Sequence, residues 1–231
     1  MRILIVSATE NEVNPLIRKF SFLEKKSPVL YQYLFKDQKI DFLITGIGIF
    51  ATIYHLSKTV FQEKYDLIIN VGIAGSFSKN FPIGSVVNVF KDEFSDFGID
   101  DRGKFKTLFD EFILHSNMFP FENGKLFNEN VKHFSDIIKY KIVNSITVNT
   151  IHGEENSIKF VKRKFFPHIE TMEGAAFFYV CKMEKLKYLQ IRSISNFVEP
   201  RNRKNWKISL AINNLNKELL SIIKLCKEIS W

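Results

Sequence analysis

Short apolar runs ending in small or polar residues alternate with helical patterns along the chain, and this alternation most constrains the fold. Residues 2–8 (RILIVSA) and 65–77 (YDLIINVGIAGSF) are typical of buried parallel strands, whose two covered faces make them continuously apolar. Residues 51–64 and 208–229 carry helical periodicity. Strands that alternate with helices predict an α/β domain with a largely parallel sheet.

Length and composition fit one globular domain over residues 1–231. A chain of this size buries about 70% of its unfolded surface, enough for a full core. Apolar windows fall short of the roughly 20 residues that a membrane span needs, and Glu10 and Glu12 stand where a signal peptide would have its cleavage site. We therefore expect a cytoplasmic protein without a membrane partner.

The cysteines and the net charge of +8 favour plain interpretations. Cys181 and Cys226 lie in apolar helical patterns and are expected to be reduced core thiols. No Cys/His spacing resembles a metal site, so no metal or cofactor is expected. The lysines are mixed with acids, without the basic block and interleaved aromatics of a nucleic-acid surface, so nucleic acid is not the expected partner.

Small or polar residues gather where the expected strands end. They are Glu12, residues 46–48, 73–75, 150–153, 172–173 and 195–196. Ligands bind at the carboxyl ends of parallel strands, so these positions predict one shared pocket. Gly46 and Gly48 precede a helix, where glycine permits close approach to a ligand or merely makes a tight turn.

Glu12 and Glu173 are the candidate carboxylates of that pocket. A carboxylate at such a place can activate a water and stabilise a cation-like transition state. It can also accept hydrogen bonds from two vicinal hydroxyls of a ligand, as Glu173 would. The plain alternative for both is an acidic residue at a helix N-terminus, where the helix dipole favours negative charge.

Several motifs in order carry a family resemblance: ATENEV, GIG, INVGIAGS, ETMEGAA and IRSISN. Together they resemble the purine nucleoside phosphorylase/nucleosidase superfamily over nearly the whole chain. The general pattern is similar to the methylthioadenosine/S-adenosylhomocysteine nucleosidases, while ETMEGAAFFYVC with SISNFVEPRNRKNW resembles the futalosine hydrolases. The resemblance implies a three-layer α/β/α domain with a mixed, mostly parallel central sheet, assembled as a homodimer or larger homo-oligomer.

The resemblance also implies roles for individual residues in cleaving the bond between ribose and purine. Glu12 matches the water-activating carboxylate, Glu173 the ribose clamp, and Asn196 the residue that handles purine N7. The remaining matches are Met172 under the sugar, Ala74 and Gly75 beside the purine, and Thr150 and Ile151 against the base. Gly46, Ile47 and Ser195 join the expected substrate-binding set through their places at the same strand ends.

Asn196 stands where the adenine-specific members carry Asp, and this departure indicates the base. A departing hypoxanthine protonated at N7 presents one donor, N7–H, and one acceptor, O6, and an amide offers the complementary pair. Protonated adenine presents two donors, which suit a carboxylate. We therefore expect a 6-oxopurine, although Asn196 also fits a simple turn-capping role.

Residues 199–206 (EPRNRKNW) bring Arg201 and Trp206 close behind Asn196, on the side where the resemblance places the 5′ end of the sugar. Futalosine carries a carboxyphenyl group there, which an arginine and an aromatic wall would suit. A solvated basic loop anchored by its Trp is the plain alternative.

The sequence therefore predicts hydrolysis of futalosine, with water and a small-molecule nucleoside as the reactants. Glu10 and Glu12 follow the first strand where the similar phosphorylases place arginine, which favours water over phosphate. A methylthioadenosine/S-adenosylhomocysteine nucleosidase and a non-catalytic nucleoside-binding domain stay open as alternatives.

Overall fold

The computed structural model describes residues 1–134 and 140–226. Its strands in these ranges are β1 (Ile3–Ser7), β2 (Ser21–Lys25), β3 (Leu30–Phe35), β4 (Gln38–Ile44), β5 (Leu67–Ser76), β6 (Val86–Asp92), β7 (Gly98–Asp101), β8 (Lys104–Thr107), β9 (Leu126–Phe127), β10 (Lys141–Thr147), β11 (Ile169–Thr171) and β12 (Tyr188–Phe197). The helices are α1 (Glu10–Ile17), α2 (Ile49–Gln62), α3 (Asn130–Phe134), α4 (Glu155–Phe165), α5 (Gly174–Met183) and α6 (Ile208–Cys226), with a short 3-10 turn at Arg203–Asn205.

The main sheet is mixed, as predicted, and part of it closes on itself. Its strand order is β11-β10-β6-β12-β5-β1-β4-β3-β2, and β11 also pairs with β5. Five strands, β5, β12, β6, β10 and β11, therefore form a barrel-like ring. In the main sheet of the described residues, five strand pairings are parallel and five are antiparallel, and the longest ladder, between β12 and β5, is parallel. The three-layer arrangement stays a prediction, because a closed ring is not a flat middle layer.

Helices cover both faces of the parallel strands, which explains why those strands are continuously apolar. In β1, the side chains of Ile3 and Ile5 pack in a cluster with α1 and α6, while Leu4 and Val6 pack in a cluster with α2 and α5. All four are fully buried. Cys181 and Cys226 are buried free thiols on α5 and α6, as predicted.

Two local features of the first third of the chain do not follow from its residue pattern. Helix α1 begins at Glu10, so Pro15 lies inside the helix rather than in its first turn. Glu12 explains the earlier start, because its carboxylate accepts the backbone N–H of Thr9 and so caps the helix. Strand β2 was not expected, since its five residues are all exposed and show no apolar alternation; it pairs with β3 at the sheet edge.

Strand β12 contains a β-bulge near its carboxyl end, just before Asn196. In its pairing with β5, Ile194 lies opposite Ala74 and Asn196 lies opposite Gly75, so Ser195 is the extra residue. A β-bulge bends a strand and re-aims the side chains that follow it. Asn196 therefore lies within the last residues of β12.

Candidate active site

A cavity of about 400 Å³ lies at the carboxyl ends of β1, β5, β11 and β12. The predicted site residues that line it are Glu12, Ile47, Ala74, Gly75, Ile151, Met172, Glu173, Ser195, Asn196, Arg201 and Trp206. The tertiary structure thus brings together residues spread over most of the chain, as expected for ligand sites in α/β sheets.

Gly46 and Thr150 are the predicted site residues that do not line the cavity. The backbone N–H of Gly46 donates to the carbonyl of Ala8 at 3.0 Å, which joins two strand ends. Thr150 is exposed beyond the end of β10, and its neighbour Ile151 takes the place in the wall. Gly46 therefore shapes the site from outside, and Thr150 points to solvent.

Glu12 is nearly buried, and its two carboxylate oxygens have unequal surroundings. Oε2 accepts hydrogen bonds from the Ser7 hydroxyl, the Thr9 N–H and the Thr9 hydroxyl, at 3.0 to 3.1 Å. Oε1 accepts from the backbone N–H of Ile73, at 3.1 Å. Since a carboxylate oxygen has two acceptor directions, Oε1 keeps capacity for a water proton. The helix-capping and catalytic interpretations of Glu12 are therefore compatible.

Glu173 reaches the cavity from the N-terminus of α5. Its Oε1 accepts the backbone N–H of Gly48 at 2.9 Å, and Gly48 has a φ of 95°, which favours glycine. Burial raises the pKa of the Glu173 carboxyl, while the Arg192 guanidinium and the Gly48 N–H offset part of that shift. Glu173 thus has few donors of its own and is open to donors from a ligand.

Arg192 is a charged residue behind the cavity that sequence reasoning missed. It is 1% exposed, on β12, and donates to the side chain of Asn70. Burial lowers the pKa of Arg192, and the carboxylates of Glu173 and Glu12 oppose this shift. One signal in the sequence could have indicated Arg192: an arginine inside an apolar strand pattern is expected to be buried, and a buried arginine needs acidic groups nearby.

Gly72 explains how the guanidinium and the Glu12 carboxylate approach each other. A side-chain carbon at Gly72 would lie 2.8 Å from Oε1 of Glu12 and 3.3 Å from Nη1 of Arg192. Any other residue would push the two charged groups apart. The absence of a side chain at Gly72 therefore lets the buried cation lie close to the Glu12 carboxylate.

The amide of Asn196 is oriented by its neighbours. Its Nδ2 donates to the carbonyl of Phe197 at 3.0 Å, and its Oδ1 accepts from the Ser195 hydroxyl at 2.7 Å. The reverse orientation would set two oxygens against each other, so the carbonyl of Phe197 determines which side of the amide is nitrogen. One N–H and one acceptor direction of Asn196 are left for a ligand.

The loop after β12 forms one wall of the cavity. The Arg201 guanidinium lies 5.7 Å from the centre of the Trp206 ring, and that of Arg203 lies 5.9 Å from it. Both distances fit cation–π contacts. Arg201 and Trp206 line the cavity, whereas Arg203 does not. The expected arginine and aromatic wall are thus present, and they contact each other.

His152 and Glu170 also line the cavity. His152 belongs to the expected strand-end positions 150–153, whereas the sequence gave no reason to choose Glu170. The His152 backbone N–H donates to Glu170 Oε1 at 3.1 Å, and its ring Nδ1 is hydrogen-bonded to Oε2. Glu170 is the middle residue of the three-residue strand β11, and the residues on either side of it are buried. In sequence it therefore looks like part of an ordinary core strand.

Within residues 1–134 and 140–226, no group of three or more His, Cys, Asp or Glu side chains is arranged to hold a metal ion. None of the helices in these ranges combines the length and apolar character required to cross a membrane.

Comparisons with known proteins agree with the geometry. The model of the Phosphorylase superfamily matches residues 2–229. A 5′-methylthioadenosine/S-adenosylhomocysteine nucleosidase of Buchnera aphidicola is 25% identical, with 100% of this chain and 98% of the relative covered. A futalosine hydrolase mutant of Helicobacter pylori has a TM-score of 0.79 at 16% identity, covering 97% of this chain and 99% of that one.

A nucleosidase that acts on another base has an equally similar structure. A mutant of the Helicobacter pylori 5′-methylthioadenosine/S-adenosylhomocysteine nucleosidase with 5′-methylthioadenosine in its active site has a TM-score of 0.79 at 16% identity, with 96% and 98% of the chains covered. Overall fold therefore does not separate the two substrates. Because the superfamily match spans almost all of the sequence, the protein belongs to the Phosphorylase superfamily, as the resemblance predicted.

Proposed function

We propose that the protein hydrolyses the N-glycosidic bond of futalosine and releases hypoxanthine and dehypoxanthine futalosine. The observation that carries the proposal is the fixed amide of Asn196, which shares one cavity with Glu12 and Glu173. Its remaining N–H and acceptor match O6 and protonated N7 of hypoxanthine.

The enzyme class has the broadest support. The protein is an N-glycosyl hydrolase of purine nucleosides, in line with the nucleosidases among its relatives and structural neighbours. Within this class, the choice of futalosine depends on the base and on the 5′ group.

Glu12 is the proposed base for the attacking water. The water's proton passes to Oε1, the oxygen with spare acceptor capacity, while the water oxygen bonds to C1′ of the ribose. The bond from C1′ to N9 breaks, and its electron pair leaves with the purine, which solvent protonates at N7. The charge on Glu12, which Arg192 supports from behind, also stabilises the cation-like sugar.

Glu173 is the proposed clamp for the ribose. Its carboxylate has a hydrogen bond from Gly48 and capacity for two more donors, which the 2′- and 3′-hydroxyls supply. Met172 lies beside it in the cavity wall, below the expected plane of the sugar. Ionised Glu173 is required, so binding weakens as pH falls towards its raised pKa.

Water rather than phosphate is the proposed nucleophile. The carboxylates that line the cavity are those of Glu12, Glu170, Glu173 and Glu199. Phosphate binding needs convergent cations, and these carboxylates would repel a phosphate. The lining instead suits an uncharged nucleophile.

Arg201 and Trp206 are proposed to hold the 5′ group. Trp206 offers an apolar face for the phenyl ring, and Arg201 offers its guanidinium to the carboxylate. Arg201 also has a fixed backbone, because its N–H donates to the carbonyl of Gly153 at 3.2 Å.

We also propose a homodimer or larger homo-oligomer. Helix α2 exposes a row of large apolar side chains, with Phe50 82%, Tyr54 62% and Phe61 76% exposed. Their spacing places them on one face of the helix. Exposed apolar patches of this kind are typical of protein interfaces. Sedimentation velocity of the wild type and a Phe50→Asp/Phe61→Asp variant tests it, because a monomeric wild type would contradict assembly.

A second candidate is a 5′-methylthioadenosine/S-adenosylhomocysteine nucleosidase, which the name of the curated relative favours. A base-release assay without phosphate, on futalosine, inosine and methylthioadenosine in parallel, separates the candidates. We expect hypoxanthine from futalosine. Adenine from methylthioadenosine with futalosine untouched would support the second candidate, and release that requires phosphate would exclude hydrolysis.

The Asn196→Asp variant tests the observation on which the proposal rests. A carboxylate at this position would face the carbonyl of Phe197 and could not donate to O6. We expect kcat/KM on futalosine to fall at least tenfold. Unchanged turnover of futalosine would show that Asn196 does not recognise the base.

A further inference from the structure

The His152–Glu170 pair lies in the cavity wall, and the proposed reaction does not use it. Glu170 is 5% exposed, and both of its carboxylate oxygens are hydrogen-bonded to His152. His152 supplies one hydrogen bond to each oxygen, which compensates part of the desolvation of this carboxylate. The acceptor capacity that is left can take a donor from the substrate.

Strand register places Glu170 opposite Asn196 across the cavity floor. Gly75 of β5 is the partner of Glu170 in β11 and also the partner of Asn196 in β12. The two residues are therefore two strand spacings apart, or about 10 Å between backbones. With side chains reaching inward, this separation suits a flat ring with one edge towards each residue.

Gly75 keeps the space between them open. A side-chain carbon at Gly75 would lie 3.4 Å from Nδ2 of Asn196 and 2.8 Å from Cγ2 of Val198. A larger residue would fill the region that a purine edge must enter. The absence of a side chain at this position thus joins the two polar groups into one recognition surface.

We propose that Glu170, held by His152, accepts the N1–H of a 6-oxopurine and so determines base specificity together with Asn196. The inference rests on the proposed function for its substrate class. Along one edge, N7-protonated hypoxanthine presents a donor at N1, an acceptor at O6 and a donor at N7. Glu170 and Asn196 present an acceptor, a donor and an acceptor in the matching order.

His152 positions Glu170 without exhausting it. Each Glu170 oxygen has about two acceptor directions, and His152 occupies one on each. The two contacts fix the carboxylate plane, because one comes from the backbone and the other from the ring. The remaining acceptor capacity is available to N1–H.

The same carboxylate disfavours adenine. Adenine has an unprotonated N1, whose lone pair would face the negative charge of Glu170. A site built to accept a hydrogen bond rejects a ligand that lacks the donor, because its buried acceptor is then unpaired. Glu170 is therefore a specificity residue that works through repulsion as well as attraction.

Equilibrium binding of free bases tests the inference, with hypoxanthine, adenine and 1-methylhypoxanthine as the calorimetric probes. The wild type should bind 1-methylhypoxanthine about 10- to 100-fold more weakly than hypoxanthine, because the methyl group removes the N1 donor. Glu170→Gln should lower the ratio of hypoxanthine to adenine affinity by a similar factor. Glu199→Gln, which neutralises another cavity carboxylate, is the matched control and should leave that ratio unchanged.

Two outcomes would overturn the inference: equal wild-type affinity for hypoxanthine and 1-methylhypoxanthine, or an unchanged ratio in Glu170→Gln. The wild-type comparison needs no variant, so a loss of folding in Glu170→Gln does not obscure it. Hydrolysis of futalosine with an unchanged ratio would reject the role of Glu170 and keep the proposed function. Hypoxanthine binding that depends on Glu170, without turnover of futalosine, would support the role and reject the proposed reaction.

Discussion

Two acidic residues at opposite ends of the sheet, Asp41 and Glu173, are both withdrawn from solvent but differ in their partners. Asp41, on β4, is fully buried. Its side chain accepts hydrogen bonds from Gln32, Tyr65, Lys26 and Arg2, at 2.7 to 3.0 Å. Burial alone raises the pKa of Asp41, but these four donors outweigh burial and hold the pKa below its ordinary value.

Glu173 has the opposite balance. Burial raises its pKa, and the Gly48 N–H and the nearby Arg192 offset only part of the shift. A carboxylate saturated with protein donors stabilises the fold, whereas one short of donors is available to a ligand. The comparison separates structural from functional acids by their partners rather than by burial.

The largest expected effect concerns the reaction itself. Glu12→Gln should lower kcat about 10²- to 10⁴-fold, because the amide cannot take the water's proton. The side-chain oxygen can still accept the Thr9 N–H, so the melting temperature should stay near that of the wild type. Initial rates of base release and a thermal melt measure both quantities. Full activity in Glu12→Gln would exclude the mechanism.

Removing the structural carboxylate should affect stability and spare activity. Asp41→Asn removes the buried carboxylate that Lys26 and Arg2 share and leaves them the more exposed Glu63 as acidic partner, and we expect the free energy of unfolding to fall by about 3 kcal/mol at neutral pH. Because the folded-state pKa of Asp41 is lowered, this stabilisation exists above the unfolded-state pKa and is lost as pH falls through the folded-state value. Urea unfolding at neutral and acid pH measures it.

Asp66→Asn is the matched control at the same end of the sheet. Asp66 is exposed and accepts the backbone N–H of Arg2, so its removal should cost under about 1 kcal/mol. Equal losses in the two variants, or a large fall in kcat for Asp41→Asn, would contradict the proposed division between the two ends.

Arg201, the arginine that lines the cavity, should distinguish substrates by their 5′ group. Arg201→Ala should raise KM for futalosine about tenfold, as expected for a partly exposed charged hydrogen bond, and leave KM for inosine unchanged. Arg203→Ala is the control, since Arg203 contacts the same tryptophan but lies outside the cavity lining. If KM for futalosine is unchanged in both variants, the carboxylate is not bound by this loop.

The smallest expected effect is a change in melting temperature that shows how much ionised Glu173 destabilises the fold. Its folded-state pKa is raised, so ionised Glu173 destabilises the fold once pH exceeds the unfolded-state pKa. Glu173→Gln mimics the neutral form and should melt a few degrees higher than the wild type at pH 8, with the difference vanishing in acid. Substrate binding should weaken in the same variant. A lower melting temperature at pH 8 would mean that Glu173 stabilises the fold, as Asp41 does.

The sequence by itself determined the α/β class, the family and most of the cavity lining. Continuous apolar runs such as residues 2–8 predict strands covered on both faces, and polar residues at strand ends predict a shared pocket. These signals are local, so they can be read along the chain. The expected C-terminal helix is confirmed up to Cys226, and its last residues, 227–229, lie outside the described ranges.

Only the tertiary structure decided the features that depend on contacts between distant segments. The closure of five strands into a ring depends on β11 pairing with both β10 and β5, which no local pattern encodes. Arg192 and Glu170 have ordinary strand neighbours in sequence, and their roles arise from carboxylates and a histidine supplied by other elements. Long-range strand pairing thus places charged residues, at positions that look like core in the sequence, in the wall of a cavity or directly behind it.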